Sequence, residues 1–351
     1  MTKCVFIVQG EGRGHMSQSI ALKEYLDEAG HVVEAVFVGR KNTGSLPDYF
    51  MNCFSDRIIA FRSPYFLSTP NRKGIYVGRT LLFNLLRSFI YIREAGRIRR
   101  KINKLHPDAV FNFYDVVGAL ALRKVHPSIR RIGIGHHFYL HLKGYFGLTG
   151  SVCDRLLLTW HTRIIMKSCD RVMALSYSEQ KGDSKIEVVP PLIRKEYRDM
   201  NRQPGKQYLV YLLKEGFIYD LIMLARKDPE FQADVFIRVL PDIEIPSSIR
   251  MHREDGNKFR VLMTTCRGLI TTAGFDTSAE AAYHGIPLAV IPVRNHFEQR
   301  CNSLDIDMHG IGTKLDHLEP GIQHHLKASD NREFRRWVER SGEMILNSMT
   351  E

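Results

Sequence analysis

The sequence lacks the features that mark several large classes of protein. Its six cysteines include no CxxC pair and no short metal-ligand spacing, which argues against a zinc ribbon and against a disulfide-stabilised secreted domain. It has no apolar run of about 18 residues, so no transmembrane helix is expected. Repeats of solenoid length and low-complexity segments are also missing. Because Met1–Lys3 leads directly into an apolar run, we expect no leader peptide and a cytoplasmic location.

The composition is that of a globular chain with more than one domain. A chain of 351 residues is too long for one ordinary core, so two domains are expected. The net charge of +12 indicates an anionic partner, which could be nucleic acid, an anionic membrane surface or a phosphorylated ligand.

The positive charge is concentrated within residues 81–104, directly after the apolar run Leu81–Leu86. Its basic residues are Arg87, Arg93, Arg97, Arg99, Arg100, Lys101 and Lys104. Nucleic-acid modules interleave aromatic and base-reading polar groups, a pattern missing here, so no nucleic-acid partner is expected. Two interpretations stay open. The segment is either a helix packed on a sheet with a solvated basic end, or a peripheral surface for the inner face of an anionic membrane, where each Lys or Arg contributes about 1 kcal/mol.

Short β-rich runs alternate with helical stretches along the chain, which predicts an α/β fold with parallel sheets covered on both faces. The predicted strands are Cys4–Gln9, Val32–Val38, Ala109–Asn112, Ile132–Ile134, Arg171–Leu175, Gln207–Leu213, Val235–Val239, Gly268–Thr272 and Leu288–Pro292. A double proline at 190–191 and the polar stretch after it predict a domain boundary. We expect an N-terminal domain over 1–193, a linker over 194–206, a C-terminal domain over 207–330 and a terminal helix over 331–351 that returns toward the N-terminal domain.

A glycine loop, Gly10-Glu11-Gly12-Arg13-Gly14-His15, separates the first predicted strand from the first predicted helix. Glycines allow a ligand to approach the backbone, and helix N–H groups favour anions, so Gly12, Arg13 and Gly14 are predicted to face a ligand phosphate. A nicotinamide-dinucleotide site is not favoured, because the third glycine comes too early and the second strand ends at Gly39-Arg40 instead of an acid.

His15 and Asp115 are the candidate catalytic residues. Each follows a predicted strand, and the carboxyl ends of parallel strands gather at one rim, so the two side chains can meet. A neutral imidazole can take a proton from a hydroxyl group, and a carboxylate can orient it. Structural alternatives stay open: His15 as a residue of the first helical turn, and Asp115 as a helix N-cap.

His136 and His137 end another predicted strand. Neighbouring residues on a strand point to opposite faces, so a two-histidine metal site is not expected. One of the two is a candidate acceptor contact, with a polar rim residue as the alternative.

Residues 268–302 are the most informative stretch of the chain. They read as a strand, a glycine turn, a capped helix, a Gly-Ile-Pro stop, a second strand and a Glu-Gln pair. Ligands of parallel sheets bind where strands end and helices begin. Thr277–Glu280 also has the spacing of a capping box, in which Glu280 reaches back to the threonine. This gives Thr277 a purely structural explanation and competes with a ligand-binding role for Glu280.

This stretch resembles the donor-nucleotide site of GT-B glycosyltransferases, and the Gly-x-Gly-His loop resembles their N-terminal signature. The group that contains the lipid-linked GlcNAc transferase of peptidoglycan synthesis is the best match. Residues that keep the family spacing are Gly274, Glu280, Gly285, Pro287, Pro292, Glu298, Gln299 and Asn302. The resemblance implies the GT-B fold, two Rossmann-like domains whose parallel sheets face each other across a cleft. The loop at 212–217 lacks the family's glycine- and serine-rich sequence, so the phosphate contacts and the nucleotide stay open.

The resemblance further implies transfer of a sugar from a nucleotide-sugar, with a UDP-sugar expected, to a hydroxyl of a cell-envelope, lipid-linked or saccharide acceptor. The displacement would be inverting and metal-independent, with His15 or Asp115 as base. The Asp305–Asp307 triplet, which leads into an expected surface loop, is interpreted as coincidental. The implied donor-binding residues are Gly274, Phe275, Asp276, Thr277, Glu280, Glu298, Gln299 and Arg194. Two alternatives stay open: a nucleotide-sugar 2-epimerase of the same fold, and a non-catalytic protein that binds sugar nucleotides or membranes.

Overall fold

The structure, a computed structural model, describes residues 1–41, 46–65, 67, 77–212, 216–237, 240–294, 296–318, 320–322, 326 and 330–350. The chain divides into two compact units. The first comprises Met1–Leu67, Val77–Lys195 and Trp337–Glu351, and the second contains Glu196–Arg336.

The first unit is built on a parallel sheet of seven described strands in the order β3-β2-β1-β4-β5-β6-β7. The strands are β1 (Lys3–Gln9), β2 (Val32–Arg40), β3 (Ile58–Arg62), β4 (Ala109–Phe113), β5 (Arg130–Gly135), β6 (Arg171–Leu175) and β7 (Ile186–Val189). The helices between them are α1 (Arg13–Glu28), α2 (Asp48–Phe54), α3 (Val77–Leu86), α4 (Ser88–Leu105), α5 (Val116–Leu122), α6 (His136–Leu142) and α7 (Val152–Ser168).

Strand β1 lies in the interior of this sheet, between β2 and β4. Its residues Cys4–Val8 are all fully buried, because helices cover both faces of a parallel sheet. Val5 pairs with Ala35 of β2 on one side and with Val110 of β4 on the other. Chain connections diverge from β1, so the carboxyl ends of β1 and β4 mark the topological switch point of the first unit.

The second unit is built on a parallel sheet of six described strands in the order β10-β9-β8-β11-β12-β13, with its switch point between β8 and β11. These strands are β8 (Tyr208–Tyr211), β9 (Ala233–Ile237), β10 (Ile249–Arg253), β11 (Gly268–Thr271), β12 (Leu288–Val290) and β13 (Thr313–Lys314). The associated helices are α8 (Lys195–Arg198), α9 (Phe217–Lys227), α10 (Gly256–Thr265), α11 (Phe275–Tyr283), α12 (Phe297–Met308) and α13 (Arg332–Glu339).

The predicted α/β class with two parallel sheets is confirmed. Four strands were not predicted, β3, β7, β10 and β13, and each lies at an edge of its sheet. Three of them, β3, β10 and β13, have at most one buried residue each. Strand β10, for example, has the sequence Ile-Arg-Met-His-Arg, of which only Ile249 is buried.

The stretch 194–206 differs from the linker that the sequence predicts. The chain divides between Lys195 and Glu196, and the residues that follow bond to the second unit. The Arg202 guanidinium donates to Cys266 O at 2.9 Å, and the N–H of Gly205 donates to Thr265 O at 2.7 Å. These two bonds to main-chain carbonyls hold the stretch against the second unit.

The C-terminal stretch forms two helices instead of the single predicted one, α13 and then α14 (Ser341–Thr350). The Trp337 indole donates to Ser176 O at 2.9 Å, and Ser341 Oγ donates to Pro191 O at 3.1 Å. These bonds attach the chain from Trp337 onward to the first unit, to which it is assigned.

Residues 81–104 lie on α3 and α4. The inner side of α4 packs on the sheet through Tyr91, Ala95, Ile98 and Ile102. The outer side of α3 and α4 exposes large apolar residues, namely Leu81, Leu82, Leu85, Leu86, Phe89 and Ile92. The structure is therefore consistent with both interpretations of the segment. The buried stripe of α4 fits a helix packed on the sheet, and the exposed apolar surface fits a membrane contact. Every helix in the described part of the chain is too short or too polar to cross a membrane.

Two helical glycines of the first unit provide a matched test of its packing. A Cβ at Gly118 in α5 would lie 2.5 Å from Cγ2 of Ile7, which is fully buried, whereas a Cβ at Gly96 in α4 would meet nothing within 4 Å. We expect Gly118→Ala to lower the free energy of unfolding by about 1–2 kcal/mol, because overpacking outweighs the gain in helix propensity. Gly96→Ala should raise it by about 0.5–1 kcal/mol.

Urea unfolding followed by circular dichroism measures both effects. A Gly118→Ala midpoint at or above that of the wild type would contradict the packing of α5 on β1.

Candidate functional site

Candidate ligand sites lie at the switch point of each sheet. In the first unit the loop after β1 leads into α1, and the turn after β4 leads into α5. In the second unit the turn after β11 leads into α11. Helix N-termini present unpaired N–H groups at such positions, which favours anionic ligands.

The two outer glycines of the predicted glycine loop have different roles. Gly10 donates its N–H to Gly39 O at 2.8 Å, and a Cβ there would lie 2.7 Å from Cγ1 of Val38, so packing requires this glycine. Gly12 is the N-cap of α1 with φ −113°, has no side-chain cap bond, and a Cβ there would meet nothing within 4 Å. The fold does not require glycine at position 12, and the backbone there is open to close approach by a ligand.

His15 belongs to the first turn of α1, which begins at Arg13, three residues before the predicted start. Arg13, Gly14 and His15 are all partly buried. The His15 Nδ1 atom lies 3.3 Å from Gln18 Oε1. Its ring centroid lies 6.0 Å from that of Tyr114 and 5.8 Å from that of His137. His15 is thus part of a ring cluster at the carboxyl ends of β1, β4 and β5.

Tyr114 is the centre of this ring cluster. It stacks on His137 with a centroid distance of 3.8 Å and an interplanar angle of 13°, and the His161 ring lies 5.2 Å away. Its hydroxyl lies 2.6 Å from Thr162 Oγ1. Its φ of 60° is in the left-handed region, where a non-glycine residue persists only if its surroundings hold it. Such strain is typical of functional sites, and sequence reasoning missed Tyr114 because no sequence signal marks a positive φ at tyrosine.

Asp115 is the N-cap of α5, as the structural alternative proposed. Its Oδ1 accepts from the N–H of Gly118 at 2.7 Å and its Oδ2 accepts from Ser63 Oγ at 2.7 Å. The side chain is fully buried, and a Cβ on Gly39 would collide with Oδ2. The expected contact with His15 is not made, because both carboxylate oxygens are directed to α5 and Ser63. Burial raises the pKa of Asp115 to about 6, against the lowering effect of these hydrogen bonds.

His136 and His137 are the first two residues of α6, not the end of β5. Both are buried, and they point in different directions. His136 Nδ1 lies 2.8 Å from Leu175 O, whereas His137 stacks on Tyr114. Of the pair, His137 is the one that belongs to the ring cluster with His15.

Helix α11 of the second unit begins at Phe275, with Gly274 as an N-cap that has no side-chain cap bond. The predicted capping box is therefore wrong, because Thr277 lies inside the helix as its third residue. Gly274 has φ −84°, and a Cβ there would come no closer than 3.9 Å to its nearest neighbour, Thr272 O. As at Gly12, the fold tolerates a larger residue, and space at a helix N-terminus remains for a ligand. Asp276 lies in the first turn, where the helix dipole favours a carboxylate.

Glu280 is nearly fully buried in α11, with 6% of its surface exposed. Without the capping box, the structural explanation that the sequence offers for this residue no longer holds. Its buried side chain lies in the second turn of α11, six residues after Gly274, which makes it a candidate ligand-binding group at this helix N-terminus.

Glu298 and Gln299 are the second and third residues of α12, which follows β12. Gln299 is buried, and its Oε1 accepts from the N–H of Val293 at 2.8 Å, which holds the loop between β12 and α12. Glu298 is partly exposed. The pair therefore divides into one residue that orders the loop and one that is accessible to a ligand.

Asn302 connects α12 to the glycine turn. It is fully buried, and its Nδ2 donates to Ala273 O, next to Gly274, at 3.0 Å. Its Oδ1 is buried without a hydrogen-bond partner among the described residues. Asn302 thus positions the turn that precedes α11. In the sequence, the only signal that marks Asn302 as functional is that it keeps the family spacing.

Arg194 lies in the first unit, where its guanidinium stacks over the Tyr49 ring at 5.2 Å. It is partly buried, so it is not a solvated linker residue. Residues 213–215, within the loop that departs from the family pattern, lie outside the described residues.

Asp305 and Asp307 lie in the last turns of α12. Asp305 is fully buried and lies 3.1 Å from His309 Nδ1, so it is a helix residue and not part of a surface loop. Across the described ranges, no group of three His, Cys, Asp or Glu residues is arranged to hold a metal ion.

Comparisons with known proteins match this chain to glycosyltransferases. The family described as "Glycosyl transferase family 1" matches residues 2–328. A protein of Methanosarcina acetivorans described as "Uncharacterized glycosyltransferase" is 25% identical, over 90% of this chain and 84% of its own length. A protein of Methanosarcina mazei with the same description is 21% identical, over 91% of this chain and 86% of its own length.

Two solved structures are similar along almost their entire length. The structure described as LpCGTa in complex with UDP has a TM-score of 0.67 at 12% identity and covers 100% of both chains. The glycotransferase of kitacinnamycin has a TM-score of 0.66 at 14% identity and covers 99% of both. At these identities the similarity shows the fold, which is GT-B.

The raised pKa of Asp115 leads to a pH-dependent stability. Its folded-state pKa of about 6 lies above the ordinary 3.8, so the folded protein favours the protonated carboxyl. That stabilisation is complete below 3.8 and is lost as the pH rises through about 6. Asp115→Asn retains an N-cap and removes the charge. As the pH rises through this window, we expect the unfolding free energy of the variant to increase relative to that of the wild type, by up to about 3 kcal/mol.

Urea unfolding at a series of pH values measures the difference. A difference that is constant with pH would show that Asp115 titrates as an ordinary exposed carboxyl.

Proposed function

The chain belongs to glycosyl transferase family 1 and is a glycosyltransferase of GT-B fold; from this premise we propose that it transfers a sugar from a UDP-sugar to a hydroxyl of a lipid-linked or saccharide acceptor of the cell envelope. The observation that carries the proposal is the start of α11, where an uncapped helix N-terminus at Gly274 precedes the buried carboxylate of Glu280. We propose donor binding by the second unit and acceptor binding by the first.

The donor diphosphate binds at the N-terminus of α11. The helix dipole and the N–H groups after Gly274 favour an anion, and Phe275, Asp276 and Thr277 form the first turn around it. Glu280 accepts hydrogen bonds from the two ribose hydroxyls, which a carboxylate does well. The description of the similar LpCGTa structure as a UDP complex supports the choice of UDP.

The transferred sugar contacts the start of α12. Glu298 is accessible and accepts hydrogen bonds from sugar hydroxyls, while Gln299 and Asn302 hold the neighbouring loops in place. Charge on the departing diphosphate is offset by the α11 N-terminus and by basic side chains, for which Arg194 is the candidate, so the transfer needs no metal ion.

His15 is the general base that takes the proton of the acceptor hydroxyl. It is partly exposed at the carboxyl rim of the first sheet, and Tyr114 and His137 pack beside its ring. One base without a candidate nucleophile favours a single inverting displacement. Asp115 is a positioning residue in this scheme, because its buried carboxylate holds the turn that carries Tyr114.

The acceptor binds beside this ring cluster, with His137 as its contact, while Gly12, Arg13 and Gly14 face a ligand phosphate. His136, whose Nδ1 lies next to Leu175 O, supports the start of α6. We propose a lipid-linked acceptor, in line with the resemblance to the peptidoglycan transferase group. The exposed apolar residues of α3 and α4 and the basic residues that follow them support a peripheral contact with an anionic membrane.

Donor binding is tested by a thermal-shift panel of nucleotides and nucleotide-sugars. A ligand at a hundred times its Kd stabilises the native state by about 2.7 kcal/mol, which is a shift of several degrees in Tm. We expect UDP to produce such a shift in the wild type. Glu280→Gln and Gly274→Ala should each remove most of it.

Two controls belong to the same unit. Gly256→Ala also alters the start of a helix where a Cβ meets nothing within 4 Å, and Glu333→Gln neutralises an exposed helical carboxylate. Both should keep the full UDP shift. If no nucleotide shifts the wild type, or if Glu280→Gln responds like the wild type, the proposed donor site is wrong.

The base is tested with His15→Ala. We expect turnover to fall by about 10²–10⁴-fold, the usual contribution of a general base, with the UDP-induced shift in Tm unchanged. Release of UDP from UDP-N-acetylglucosamine and UDP-glucose is measured with a panel of saccharide and lipid-monosaccharide acceptors. The exposed His126, which precedes β5 at the opposite rim, provides the control variant His126→Ala.

Retained turnover in His15→Ala would remove His15 from the mechanism. Conversion of UDP-N-acetylglucosamine to its 2-epimer without any acceptor would replace transfer by epimerisation.

A further inference from the structure

Helix α7 forms one wall of the ring cluster in the first unit. Its inner side contributes Thr162, whose Oγ1 lies 2.6 Å from the Tyr114 hydroxyl, and His161, whose ring lies 5.2 Å from that of Tyr114. A displacement of α7 would therefore act directly on Tyr114 and, through it, on the His15 and His137 rings.

The outer side of the same helix exposes large apolar side chains. Val152, Leu156 and Trp160 follow one another at intervals of four residues, so they share one face of the helix. They are exposed to 59%, 64% and 65%, and Leu148, just before the helix, is exposed to 62%. Scattered exposed apolar residues need no explanation, but a contiguous stripe of this kind indicates an interaction surface.

Basic residues continue the stripe. Arg163 and Lys167 lie on the same face, three and seven residues after Trp160, and both are exposed. The single acidic residue of α7, Asp154, is engaged in a capping box with Ser151 at the start of the helix. The outer face of α7 is thus apolar in its first half and cationic in its second.

Helix α4 repeats this arrangement. Phe89 and Ile92 are exposed to 69% and 65%, and exposed arginines and lysines follow on the same face. Helix α5 packs against both α4 and α7, which places the three in one layer on the sheet. Since α4 leads into β4 and α7 leads into β6 in a parallel sheet, both helices begin at the carboxyl rim, where the ring cluster lies. The apolar halves therefore flank the candidate acceptor site.

We propose that the outer face of α7 lies on an anionic phospholipid bilayer, with Leu156 and Trp160 inserted at the interface and Arg163 and Lys167 against the lipid headgroups. Apolar side chains with flanking cations are the pattern that binds helices in the plane of such interfaces. Self-association through this face is disfavoured, because each copy carries a net charge of +12 and two copies repel each other. Resting on the proposed function, this contact would place the acceptor site at the membrane surface, where a lipid-linked acceptor arrives.

Tryptophan fluorescence reports the insertion, because the chain has two tryptophans in different environments. Trp337 is buried at 4% exposure and donates to Ser176 O, so it responds little to lipid. Trp160 is exposed at 65%. We expect a blue shift of the emission with vesicles of phosphatidylcholine and phosphatidylglycerol, a smaller one with phosphatidylcholine alone, and none in Trp160→Phe.

Cosedimentation with the mixed vesicles tests the surface itself. Leu156→Ser combined with Trp160→Ser should lower the partition coefficient by about tenfold or more, since interfacial binding scales with the apolar area inserted. The control is Tyr219→Ser combined with Met223→Ser on α9, a pair with the same four-residue spacing and 58% and 49% exposure, which should bind like the wild type. Circular dichroism establishes that each variant is folded.

Equal sedimentation of the α7 variant and the wild type would overturn the proposal, as would unchanged Trp160 emission. It would also be overturned if the wild type sediments as a dimer without lipid and the α7 variant as a monomer, because a second copy would then cover this face. The vesicle assays contain no nucleotide and the UDP assay contains no lipid, so failure of one proposal is distinguishable from failure of the other.

Discussion

Parallel pairing of a central strand with two neighbours is the constraint on which both units depend. Strand β1 bonds to β2 and β4, and β8 bonds to β9 and β11, so in each sheet the connections diverge at the carboxyl ends of a central strand. Polar groups can be gathered there without breaking the core, because the strands beneath are fully buried. At Gly12 and Gly274 the helices that start at these rims have no side-chain cap, and a bound anion can take the place of one.

The first unit maintains strain and buried charge at this rim. Tyr114 adopts a positive φ between β4 and α5, and the next residue, Asp115, is a buried carboxylate with a raised pKa. Each feature costs free energy, and both are held by the same turn, through Ser63, Gly118 and Thr162. The turn is thereby rigid enough to present a stacked Tyr114–His137 pair beside His15. The turn at Tyr114 and Asp115 is thus locally destabilising, but it fixes the arrangement of the imidazole rings.

Helix α7 connects this arrangement with the surface. Its inner side contacts Tyr114 and its outer side carries the stripe from Val152 to Trp160, so one rigid element faces both the ring cluster and the surroundings of the protein. Part of the positive charge of the chain lies in the exposed basic halves of α4 and α7. An apolar surface bordered by cations suits both the proposed lipid-linked acceptor and the proposed contact with an anionic membrane.

The α/β class, the central strands and the strand–turn–helix pattern of 268–302, the proposed donor region, were determined by local sequence, because strands buried on both faces are uniformly apolar and glycine turns mark where helices start. The edge strands β3, β7, β10 and β13 depended on pairing with a neighbour, which periodicity does not record. Tertiary structure also decided between two valid local explanations. It made Asp115 a helix cap because Ser63 and Gly118 surround its carboxylate, and it removed the capping box from Thr277 because α11 begins earlier, at Phe275. Tyr114 had no sequence signal at all, since its role arises from contacts with His137 and Thr162, which are distant in the chain and adjacent only in the folded protein.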